Sequence, residues 1–136
     1  MPPFSIRQID HVVLRAQDPQ RLIAFYRDVL GCRVEHEQPK LGLTHLRAGS
    51  ALIDIVDYRG ALAEAGDAAP ARPQRNVDHI CLGVDGFEPA SAIAHLRRHG
   101  IDPGAVQSRF GAEGEGPSLY FFDPEGNMVE LKGRPA

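Results

Sequence analysis

Four side chains in this sequence have the types and spacing for joint chemistry: His11, Asp54, His79 and Glu130. The segment Ile9-Asp10-His11-Val12-Val13-Leu14 returns 68 residues later as Val77-Asp78-His79-Ile80-Cys81-Leu82. Each copy is a short β-type run with a histidine at the same place, and each half carries an acidic residue near its end. Two neutral imidazoles and two carboxylates offset the charge of a divalent ion, and such a mixed N/O set suits Zn²⁺, Ni²⁺, Co²⁺, Mn²⁺ or Fe²⁺. An ion held by three or four protein ligands keeps positions open for water or substrate, as a catalytic metal requires.

The elements that must position these groups can be read from periodicity. Residues 8–15 alternate as a strand, and Asp18-Pro19 then supplies an N-cap and an N1 proline. Leu22, Phe25, Tyr26 and Val29 keep helical spacing, with Gly31 as terminator. Three β-type runs follow at 32–38, 42–48 and 51–57. The second half repeats the plan: a strand at 77–84, a helix from Pro89 to His99 ending at Gly100, and strands near 103–108, 117–122 and 127–132. Asp123-Pro124-Glu125-Gly126-Asn127 is a turn between the last two. Residues 59–76, rich in Ala, Gly, Pro and Arg, read as a linker with a turn of helix around Ala61–Ala65. The expected fold class is α+β: tandem βαβββ modules, about 6–58 and 77–133, forming a curved mixed sheet around a metal cavity with helices outside. The whole chain, 1–136, reads as one domain.

Strand parity then selects the site. Side chains alternate between faces, so Val12 and Leu14 oppose His11, Val13 and Arg15, and Ile53 and Ile55 oppose Asp54. In the second half Ile80 and Leu82 oppose His79 and Cys81, and Val129 and Leu131 oppose Glu130. If the apolar faces pack on the helices, the four ionisable residues point away from them. Buried alone, each would be costly, so each needs a partner. Parity leaves His45 undecided. His95 and His99 share a helix face with Leu96-Arg97-Arg98 between them, and read as a solvated face. The run 111–116 lacks the Gly-Lys-Ser/Thr ending of a phosphate cradle and reads as a mobile flap.

Composition bounds the rest. In 136 residues, 43% are hydrophobic and 24% charged, within the globular norm. The net charge of −3 and the lack of any Lys/Arg run argue against nucleic acid or an anionic membrane as partner. No apolar run approaches ~18 residues and no signal-type h-region opens the chain. Cys32 and Cys81 read as reduced core residues, and a cytoplasmic location is expected.

The quoted segments, with Ala24-Phe25-Tyr26-Arg27-Asp28-Val29-Leu30-Gly31 and Tyr120-Phe121-Phe122-Asp123-Pro124-Glu125-Gly126-Asn127-Met128-Val129-Glu130, resemble the vicinal oxygen chelate superfamily. That superfamily includes glyoxalase I, extradiol dioxygenases, fosfomycin-resistance thiol transferases and bleomycin-binding proteins. The resemblance covers residues 6–132 and implies metal ligation by His11, His79 and Glu130, with Asp54 at the place of a fourth ligand that is usually Glu. It implies that Arg15 meets a carboxylate of a thiol co-substrate, glutathione or another. Tyr120, in one strand with Phe121 and Phe122, reads equally as a core residue or as a substrate contact. Tyr58 stands where glyoxalase I has a glutathione-binding Asn. The acid/base histidine of the dioxygenases, expected shortly before Leu119, is missing. The implied activity is a glyoxalase-I-like lyase acting on the thiol hemithioacetal of a 2-oxoaldehyde through a metal-stabilised enediolate, with Glu130 or Asp54 moving the proton. Other expectations on the same metal are an isomerase, epimerase or thiol transferase; without chemistry, a small-molecule binding protein remains. A homodimer is expected, as is common in the family.

Overall fold

The computed structural model describes residues 3, 5–59 and 76–135. The chain divides into two compact units, Met1–Pro73 and Gln74–Ala136. Among the described residues there are two four-stranded mixed sheets, one in each unit, and the fold class is α+β. The linker expected at 59–76, with its helical turn, falls almost wholly outside the described residues.

In the first unit β1 (His11–Ala16) leads to α1 (Pro19–Ala24), a π-helical turn (Phe25–Val29), β2 (Arg33–Gln38), β3 (Leu43–Ala48) and β4 (Ala51–Asp57). The sheet order is β1-β4-β3-β2, with β1 parallel to β4 and the other pairs antiparallel. The Asp18 carboxylate accepts from the Arg21 N–H at 3.2 Å, which fixes the helix start ahead of Pro19. Gly31 ends the turn at φ +78°, a conformation that strains residues bearing a Cβ. Helical spacing predicts one regular helix to Val29, but the chain widens at Phe25. There the adjacent Phe25 and Tyr26 are both buried, in an edge-to-face pair 5.3 Å apart. Leu22, Ile23, Leu46, Ile53 and Ile55 complete the apolar interior.

The second unit repeats the order with β5 (Ile80–Gly83), α2 (Pro89–Arg98), β6 (Gln107–Gly111), β7 (Gly114–Phe122) and β8 (Met128–Lys132), arranged β5-β8-β7-β6. Glu88 caps α2, accepting from the Ser91 N–H at 2.8 Å and the Ser91 hydroxyl at 2.6 Å. Leu96, Leu119, Phe121 and Val129 are buried. The second strand of this unit, β6, starts later than the expected 103–108, and the run 111–116, expected as a flap, forms the tip of the β6–β7 hairpin, closed at Gly111↔Gly114. Of the two cysteines, Cys32 is buried as expected and Cys81 is exposed; both are free thiols.

Candidate functional site

Register places His11, Asp54 and Glu130, and His79 stands immediately before β5, which is shorter than the expected strand at 77–84. In the first unit Val13 pairs with Asp54, and Asp54 pairs with His45 on β3. His11, Asp54 and His45 therefore lie on one face, opposite the buried Ile53 and Ile55. In the second unit Cys81 and Tyr120 flank Glu130 in register. The register of β8 is set by the preceding turn. The Asp123 carboxylate accepts from the Glu125 and Asn127 backbone N–H groups at 2.9 Å, and from Asn127 Nδ2 at 2.8 Å. Gly126, at φ +81°, supplies the bend.

The same small constellation recurs in both units. His11 Nδ1 lies 2.7 Å from Asp10 Oδ1, and His79 Nδ1 lies 2.8 Å from Asp78 Oδ2. A carboxylate only accepts, so in each ring Nδ1 carries the proton and donates it. Each Nε2 then turns toward a buried carboxylate: His11 to Asp54 Oδ2 at 3.9 Å, and His79 to Glu130 Oε1 at 3.2 Å. Asp54 is 2% exposed and Glu130 5%. An unprotonated Nε2 facing a carboxylate sets two lone-pair groups against each other, which requires a second proton on the ring or a cation. The hydrogen bond that His11 donates to Asp10 and the charge of Asp54 raise the His11 pKa, and the same bond lowers that of Asp10.

Asp54 has a further neighbour that parity left undecided. His45 Nδ1 stands 3.0 Å from Asp54 Oδ1, yet the two are not aligned for a hydrogen bond, and both atoms are buried without one. His45 Nε2 meets the Gln38 amide at 2.9 Å. An orphaned buried carboxylate oxygen beside imidazole nitrogen is a donor set that suits a divalent cation. The structural arrangement therefore fits such an ion in chemistry. It is built from pairs: among the described residues, no group of three or more His, Cys, Asp and Glu side chains is gathered to hold a metal.

Arg15, on the His11 face, is exposed and has no ion pair among the described residues. Tyr120 meets the His79 ring edge-on at 5.2 Å and carries the Arg109 guanidinium 4.4 Å from its ring centre. Desolvation and the Glu130 charge raise the Tyr120 pKa. Partial desolvation, then the Glu130 charge, push the Cys81 thiol up to about 11. His95 and His99 form their own edge-to-face pair at 4.8 Å on α2. The roles of Asp10 and Asp78 were written in the sequence, as the acid repeated before each histidine. Lys132 lies on the Glu130 face by the same parity, two residues along one strand, whereas Arg109 had no such signal, because the strand pairing that brings it there is non-local.

A profile of the Glyoxalase/Bleomycin resistance protein/Dioxygenase superfamily matches residues 8–131. The lactoylglutathione lyase of Salmonella typhimurium is 32% identical over 131 residues, covering 89% of this chain and 88% of that protein. The mitochondrial methylmalonyl-CoA epimerase of Mus musculus is 22% identical over 138 residues, covering 96% of this chain and 75% of that protein. An integron cassette protein from V. cholerae superposes with a TM-score of 0.73 at 25% identity, over 97% of this chain and 98% of that one. With its repeated strand–helix–strand order and paired histidines, the chain belongs to the glyoxalase/bleomycin resistance protein/dioxygenase superfamily.

Proposed function

We propose that this protein is a divalent-metal-dependent enzyme that moves a proton at a carbon next to a carbonyl. The reaction proposed is the glyoxalase-I-type conversion of a thiol hemithioacetal of a 2-oxoaldehyde. His11, Asp54, His79 and Glu130 are the proposed ligands. The observation that carries this reading is the twice-built Asp–His–carboxylate chain, in which Asp10 and Asp78 fix the histidine tautomers and leave Nε2 free to ligate. A bound divalent ion would supply Lewis-acid stabilisation of negative charge on two neighbouring substrate oxygens.

The remaining roles belong to side chains of this chain. Glu130, or Asp54, takes the proton from one carbon and returns it to the next. Tyr120, beside Glu130, contacts the substrate. Arg15, exposed and unpaired among the described residues, meets a carboxylate of glutathione or another thiol. A cytoplasmic homodimer belongs to the same reading; no described helix is long and apolar enough to cross a membrane. Epimerisation of a thioester carbon acid is the second reading. It uses the same proton transfer, the mouse methylmalonyl-CoA epimerase is among the relatives, and Tyr58 in place of a glutathione-binding Asn weighs against a glutathione adduct.

The test is the metal content of protein purified without added metal, repeated for His11→Ala, His79→Ala and Glu130→Ala. Near-stoichiometric metal in the parent and loss in each variant is expected. Turnover of methylglyoxal–glutathione hemithioacetal is then expected with one of Ni²⁺, Zn²⁺, Co²⁺, Mn²⁺ or Fe²⁺, and is lost in Glu130→Gln. Failure to hold or take up any of these ions overturns the metalloenzyme reading.

A further inference from the structure

Lys132 is a buried cation with almost nothing to neutralise it. It is 6% exposed, and its ammonium makes one long contact, to the Gly133 carbonyl at 3.5 Å. Among the described residues it has no ion pair. An ammonium brings three donors, and burying it without an anion is strongly unfavourable. Glu130, two residues earlier on the same strand face, does not serve: its carboxylate meets His79, and no contact within ion-pair distance joins it to Lys132.

The surroundings favour an oxyanion from outside the chain. In register Lys132 pairs with Ser118 on β7 and Gly83 on β5, and Arg109 pairs with Gly116. These residues, with Glu130 and Tyr120, share one face of the second sheet. Arg109 is held in place there, its Nη1 donating to the Ser118 carbonyl at 3.0 Å and hydroxyl at 2.8 Å. Two glycines make room for the Lys132 side chain. A Cβ at Gly111 would stand 2.9 Å from Lys132 Cδ and Cε, and one at Gly116 would stand 3.1 Å from Nζ. Gly83, in register beside Lys132, is exposed, and a Cβ there would meet nothing within 4 Å.

We propose that Lys132, supported by Arg109, is an anion-binding subsite that holds a carboxylate or phosphate group of the ligand on the Glu130 face of the second unit. The proposal deepens the reading of a small-molecule site given above, but its evidence is independent of the metal. An ammonium and a guanidinium at low local dielectric give charge-assisted hydrogen bonds to an oxyanion, and no neutral group would offset the buried charge. Substrates carrying a carboxylate or phosphate beside the reacting carbons are the class that this face admits.

The experiment titrates the purified protein with inorganic phosphate and, separately, with acetate, followed by calorimetry. It is run as purified and again after chelation, so that binding to a metal is separated. Saturable binding of one probe is expected in both states; phosphate alone marks a phosphate group, acetate alone a carboxylate. Lys132→Met should weaken binding at least tenfold, Lys132→Arg should retain part of it, and metal content should be unchanged in both. Because Lys132→Met removes an unpaired buried charge, its Tm should equal or exceed that of the parent without anion. Binding of neither probe, equal binding by Lys132→Met, or a fall in its Tm would overturn the subsite in favour of a structural lysine. Loss of metal in His11→Ala tests the metalloenzyme reading separately, so the two can fail independently.

Discussion

Removing Asp78 tests the tautomer argument directly. The Asp78 carboxylate holds the His79 Nδ1 proton at 2.8 Å, so Nε2 faces Glu130 Oε1 at 3.2 Å with its lone pair free. Without that acceptor the ring can place its proton on Nε2 and donate it to Glu130, and a metal must then displace this proton before binding. Loss of such an outer carboxylate typically costs 10- to 100-fold in metal affinity. Asp78 is 86% exposed, so its charge is screened, and the lower end applies. Asp78→Ala should weaken Zn²⁺ binding about tenfold, while Asp78→Asn, which keeps an accepting oxygen without charge, should lose less. Asp10→Ala should act similarly on His11, and the double variant should lose about a hundredfold if the two act independently. Competition with a chromophoric chelator at constant pH reads the affinity, and circular dichroism checks the fold. Unchanged affinity in Asp78→Ala, alongside abolished binding in Glu130→Gln, would refute the claim that the preceding aspartate prepares the ligand.

Two further expectations follow from local geometry. Gly116→Ala would bring a methyl group to 2.7 Å from the Gly133 backbone carbonyl and should lower stability by about 1–3 kcal/mol; an unchanged urea midpoint would show that the close approach is absent. In metal-free protein the Cys81 thiol, near 11, should hold about a hundredfold less thiolate at pH 8 than an ordinary thiol near 9. Its alkylation rate should keep rising about tenfold per pH unit past pH 9, and a plateau there would contradict the assignment. The linked stability has the matching sign: the folded state keeps this proton longer than the unfolded chain. The contribution is therefore present below pH 9 and is lost as pH rises toward 11.

Much of this is legible in the amino-acid sequence. Asp18-Pro19 and Gly31 marked the first helix because capping and positive φ are properties of a few adjacent residues. The Asp123-to-Asn127 turn was legible for the same reason: its hydrogen bonds close within five residues. Period-two alternation was enough to set Asp54 and Glu130 on the face opposite their apolar neighbours, and the register agrees. Local signals were weaker where packing decides. The widening of α1 at Phe25 leaves no mark in helical spacing, and the start of β6 depends on its pairing with β7.

The sequence by itself determined the family, the two-module order, and the side of the strand that Asp54 and Glu130 take, because these follow from neighbours close in the chain. Tertiary structure alone decided who stands beside whom on those faces. It set His45 against Asp54, Tyr120 and Cys81 against Glu130, and left Lys132 buried among glycines with one distant carbonyl. The physical reason is register: it joins residues far apart in the chain, and a shift of one position would turn every one of these groups to the other face.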